Sequence, residues 1–60
     1  MKETFRDCKT PTDTIDIELR EESFGNIIEV TIHEGSSSLI YLDKESALKM
    51  ASSIIDMLAI

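Results

Sequence analysis

His33 is the one histidine in the chain, and histidine is the side chain whose ordinary titration range covers neutral pH. A general base there needs a carboxylate to orient it, and Glu29 and Glu34 are the nearest in sequence. Cys8 lies close to Arg6 and Lys9, cations that favour a thiolate. A nucleophilic thiolate also requires a positioned base and a pocket for the developing anion, and neighbours in sequence supply neither. Asp16 and Glu18, two residues apart, fall on one side of an extended segment, where paired carboxylates do acid–base work or hold a hard cation. No loop of further oxygen ligands accompanies them. Glu34-Gly35-Ser36-Ser37-Ser38 has the outline of a phosphate-binding loop. It lacks the glycine spacing and the lysine, and it joins two strand-like segments instead of opening a helix. His33 therefore reads as an ordinary strand-end residue, Asp16 and Glu18 as a solvated strand face, and the serine run as a hairpin turn. The expectation is a protein that is not an enzyme and uses no metal or cofactor.

The elements that carry these residues are legible from hydropathy. Residues 1–13 hold too few apolar side chains to anchor them, and Thr10-Pro11-Thr12-Asp13 breaks any regular structure before it. They are expected to form a flexible arm, with residues 14–60 as the single domain. From Thr14 the period is two: Ile15, Ile17 and Leu19 alternate with Asp16, Glu18 and Arg20. Glu21 to Asn26 reads as a turn, with Gly25-Asn26 tolerating positive φ. A second strand follows with Ile28, Val30 and Ile32 inward and Ile27, Glu29, Thr31 and His33 outward. After the turn Glu34–Ser37, a short strand from Ser38 to Leu42 points Ile40 and Leu42 one way and Leu39 and Tyr41 the other. Asp43 then caps a helix. The expected fold is α+β, a three-stranded antiparallel β-meander followed by one C-terminal helix packed on one sheet face, β-β-β-α.

That helix, read from Asp43 to Ile60, is broader in its apolar face than a single core requires. Ala47, Leu48, Ala51, Ile54, Ile55 and Leu58 form one stripe at 100° per residue, widened by Met50 and Met57 on one flank and Ala59 on the other. The arc is about 200°, against the roughly 100° a helix on one core uses. Such a helix has two apolar surfaces to cover, one by its own sheet and the other by a second copy. Met50, Ile54, Met57 and Leu58 are the candidates for self-association.

Size points the same way. Sixty residues and 6.8 kDa make one small domain whose core leaves a lone monomer marginal. Chains this small add disulfides, a metal or an oligomer interface; the single Cys8 excludes an internal disulfide and the single His33 a conventional zinc site. Cysteine usage and the lack of a signal-peptide pattern in Met1 to Asp7 lead to the expectation of a soluble cytoplasmic protein with no membrane association.

Charge is uneven along the chain. Residues 1–13 balance three cations against three carboxylates, so residues 14–60 hold the whole net charge of −6, three cations against nine carboxylates. An acidic surface repels phosphate backbones and anionic membranes and suits basic partners. Asp16, Glu18, Glu29 and Tyr41 are the candidates for contact with such a partner. A meander followed by a helix resembles the small dimeric single-strand-binding folds of the coactivator type. Those depend on basic and aromatic strand faces that this chain lacks, so no direct nucleic-acid binding is expected. Two functional readings result. One is a small acidic interaction protein, a homodimer that acts as a regulator or inhibitor by binding another protein. The other is an oligomeric module that binds or sequesters a small ligand in a pocket between subunits, around Tyr41, His33 and Ile27.

Overall fold

The computed structural model describes residues 1–59; the expectation that placed Ile60 on the helix lies outside them. The chain runs β1 (Lys2–Arg6), β2 (Thr14–Glu22), β3 (Gly25–Glu34), β4 (Ser36–Asp43) and α1 (Lys44–Leu58). The strands form one antiparallel sheet in the order β1-β2-β3-β4. The α+β class and the meander are as the sequence leads one to expect, but the sheet has four strands and not three. The additional strand lies within residues 1–13, where the sequence leads one to expect a flexible arm. β1 pairs with β2 from Lys2↔Glu18 to Arg6↔Thr14. It escaped the hydropathy pattern because an edge strand can hold on through its ladder, and Phe5 is the one apolar side chain within it.

The hairpins are tighter than the turn residues suggested. Glu22 pairs with Gly25, so only Ser23 and Phe24 connect β2 to β3, and Gly25 takes φ 134° to close the turn. Between β3 and β4 the break is Gly35 alone, at φ 76°, a value L side chains adopt with strain. The seven-residue connection from β1 to β2 is tied at its mouth by Asp7 N–H donating to Asp13 O at 3.0 Å. Asp43 ends β4 and caps α1, its side chain accepting the Ser46 N–H at 2.8 Å. The handover from strand to helix takes a single residue, which sets α1 against β4 and β3 only.

Period two then sorts the sheet. Registers Ile15↔Ile32, Ile17↔Val30 and Leu19↔Ile28 place those six on one face, joined from β4 by Ile40 and Leu42. This is the face under α1. The opposite face carries Thr4, Asp16, Glu18, Arg20, Glu29, His33 and Tyr41. Within this arrangement the core is thin. Val30 (5% exposed) and Ile27 (9%) are the buried apolar residues among those described, and no side chain of α1 is buried. Ile27 was expected to stand exposed among carboxylates; it is instead covered in the row between Arg20 and Asp43.

The molecule is a slab, 37 × 33 × 17 Å, with a radius of gyration of 12.8 Å. A globular chain of this length has a radius of about 10 Å. Its accessible surface is 5137 Å², whereas a compact 6.8 kDa monomer exposes about 4,000 Å². Roughly 1,100 Å² is therefore open that a closed fold would cover.

Candidate interaction surfaces

Three surfaces stand out, and the first lies between the helix and the sheet. Its sheet wall is Ile17, Leu19, Ile28 and Leu42, and its helix wall is Ala47, Leu48, Met50 and Ala51. Together they frame an open apolar groove of about 400 Å³. Leu19, Leu48 and Met50 each keep close to half or more of their surface in solvent. Water therefore reaches side chains that the β2–β3–β4 alternation was built to bury. Past Ala51 the helix no longer lines the groove, and exposure rises from Ile54 at 49% to Leu58 at 79%.

All four self-association candidates are thus exposed, but they do not form one flank off the sheet. Met50 faces the groove, while Ile54, Met57 and Leu58 lie on the outer half of the helix. The stripe expected to pack on the sheet is itself uncovered at Leu48 and Ile55.

The second surface is the free edge of β4. Ser36 to Tyr41 are all exposed, with Leu39, Ile40 and Tyr41 each about half in solvent. The sequence pattern marks a strand from Ser38 to Leu42, with Ser36 and Ser37 in the turn, and carries no information on its place in the sheet, because edge position depends on pairing order.

The third surface is the polar sheet face, organised by Asp16. Thr4 Oγ1–H donates to Asp16 Oδ1 at 2.7 Å, His33 Nε2 lies 3.1 Å from Oδ2, and Lys2 Nζ approaches Oδ2 at 3.8 Å. His33 Nδ1 is 2.9 Å from Ser37 Oγ. An ionised carboxylate only accepts, so neutral His33 carries its proton on Nε2, donates to Asp16 and accepts from the Ser37 hydroxyl. The Thr4 hydrogen bond, with help from His33 and Lys2 and against a smaller desolvation, holds the Asp16 carboxyl below its usual value. Each of these bonds joins one strand to another, so the cluster latches β1, β2, β3 and β4 at one end of the sheet.

Serine, histidine and aspartate in a chain are also the groups of a hydrolytic relay. Here Ser37 stands on the flat of a strand, where backbone N–H groups lie in the sheet plane and cannot converge on an oxyanion above it. What the contacts do in the fold is join strands that are neighbours in the sheet. The carboxylate that meets His33 is Asp16, neither Glu29 nor Glu34, and it becomes visible only once the register Asp16↔Thr31, His33↔Ser37 is known.

The four partner-contact candidates do share this face. Glu18, Glu29 and Tyr41 form one row across β2, β3 and β4, with Asp16 two residues along. Two of the four are internally engaged: Asp16 as described, and Glu29 by Arg20 Nη1 at 3.1 Å. Glu18 and the half-exposed Tyr41 remain for outside contact, along with the exposed Glu21, Glu22 and Glu34 at the sheet ends. Cys8 is a free, exposed thiol in the β1–β2 connection. Among the described residues no group of three potential ligands is arranged for a metal, and no helix is long and apolar enough to cross a membrane.

Comparison with known protein families, with curated proteins and with solved structures finds no match.

Proposed function

We propose that this chain is a small acidic interaction protein, not an enzyme, that works as a homodimer and regulates or inhibits another protein by binding it. The observation that carries the reading is the uncovered apolar face of the sheet and helix, on a chain whose total surface exceeds that of a closed fold by about 1,100 Å². A standard protein interface takes about 800 Å² from each partner, so a second copy accounts for the excess. Self-association would leave the polar sheet face outward, with a net charge of −6 per chain available to a basic protein surface. Cytoplasmic placement belongs to the same proposal and is supported by the lone free cysteine.

Light scattering across a concentration series tests the dimer. Wild type is expected at twice the 6.8 kDa protomer mass. A Met50→Lys/Met57→Lys double variant, which puts charge at the groove and on the outer helix, is expected to fall to monomer or unfold. A wild-type monomer throughout the series contradicts the reading. Binding of a short oligolysine probe, strong in low salt and lost at physiological salt or above, would support the electrostatic side; salt-insensitive binding would remove it.

The ligand-binding alternative draws support from one feature. A groove of about 400 Å³ falls in the range of small-molecule sites, which run from roughly 300 to 1,000 Å³. Its walls are Ile17, Leu19, Met50 and their neighbours, whereas Tyr41 and His33 lie on the opposite face of the sheet.

A further inference from the structure

The sheet has two edges, and they are protected very differently. β1 is five residues long and carries Lys2, Glu3 and Arg6, charges that discourage another strand from adding alongside. β4 is eight residues long, and from Ser36 to Leu42 it has no charge and no proline. Its outer N–H and C=O groups face solvent beside half-exposed Leu39, Ile40 and Tyr41. An unguarded apolar edge of that length is a template for strand addition.

We propose that the occupant of this edge is β4 of a second copy, paired antiparallel, so that two four-stranded sheets become one continuous sheet of eight. The inference rests on the homodimer proposed above and specifies its geometry. Three features favour a second copy over a foreign peptide. A twofold axis normal to the sheet makes one residue face its own copy; centred on Ile40, it sets Leu39 opposite Tyr41 and Ser38 opposite Leu42, with no like charges confronted. The same axis keeps both helices on one side of the joined sheet. Since α1 packs only on β3 and β4, its exposed outer half then shares that side with the partner's apolar face, where Ile54 and Leu58 can be covered. Finally, strand pairing combined with helix cover matches an excess area larger than the ~800 Å² per partner of a stable interface. A peptide added at the edge would leave the helix uncovered.

The test is a single-cysteine scan in a Cys8→Ser background, with Ser38→Cys, Leu39→Cys, Ile40→Cys and Tyr41→Cys examined one at a time under mild oxidation. Phe24→Cys, in the exposed β2–β3 turn, serves as control. The expected result is a sharp maximum: one β4 position, the one on the twofold, gives covalent dimer in more than about half of the chains, and the control gives little. Cβ atoms of directly opposed residues lie about 4.5–5.5 Å apart, close to disulfide reach, whereas diagonal neighbours are too far. Light scattering on the same Cys8→Ser protein separates the two levels of the claim. A dimer whose β4 cysteines cross-link no better than the control overturns the edge pairing and leaves the homodimer standing. A monomer at every concentration overturns both.

Discussion

Asp16 is held from both neighbouring strands, by Thr4 and Lys2 on β1 and by His33 on β3, and its carboxyl titrates below the usual 3.8 chiefly because of the Thr4 hydroxyl. Asp43 is depressed for a different reason, the Ser46 backbone N–H at the helix N-cap, reinforced by the Ser46 side chain. Both groups have folded values below their unfolded ones. Their contribution to stability is therefore complete above about pH 4 and is lost as the pH falls through the depressed folded values. Urea midpoints are expected to hold steady from about pH 6 to about pH 4 and drop below that. An Asp16→Asn/Asp43→Asn double variant should start lower and lose less on acidification. An equal acid-dependent loss in the variant would show that other carboxylates carry the effect. The two residues were not equally legible. An N-cap is a local pattern, and Asp43 followed by Glu45 and Ser46 announces it. Asp16 meets partners 12 to 17 positions away, so the cluster exists only after the register is set.

Among the elements, the turns show how backbone conformation enforces that register. Gly35 alone links β3 to β4 at φ 76°, with open space where a Cβ would sit, so strain and not a clash is what an alanine there would meet. Gly35→Ala is expected to destabilise the fold by about 1 kcal/mol, read as a lower urea midpoint with an unchanged slope. An unchanged midpoint would mean that the turn relaxes to another conformation. The central strands were plain in the sequence because Ile15, Ile17 and Leu19, then Ile28, Val30 and Ile32, mark a buried face by alternation alone. β1 lacked that mark since Lys2, Glu3, Thr4 and Arg6 are polar, and pairing with β2 is what makes it a strand. β4 began earlier than its hydropathy, because Ser36 to Ser38 give no pattern yet continue the ladder opposite Glu34, His33 and Ile32. The same serines leave an edge with neither charge nor bulk to guard it.

At the scale of the whole molecule, the broad apolar arc of the helix and the slab shape express one property. The sequence carries more apolar surface than a single sheet and helix can enclose: α1 leans on β3 and β4, buries none of its own side chains, and leaves a groove open to solvent. The excess of oil was readable from Ala47 to Leu58; where it would lie was not, since that depends on how far the helix departs from the sheet after Ala51. A dimer gains its stability from association, so its unfolding midpoint must move with protein concentration. The decisive measurement is thermal unfolding of the wild type followed by circular dichroism over a hundredfold concentration range. For a two-state dimer of this size the midpoint should rise by roughly 10 °C across that range. A sharp, reversible transition whose midpoint does not move would show that the chain is stable alone, and would contradict the claim that a second copy completes its core.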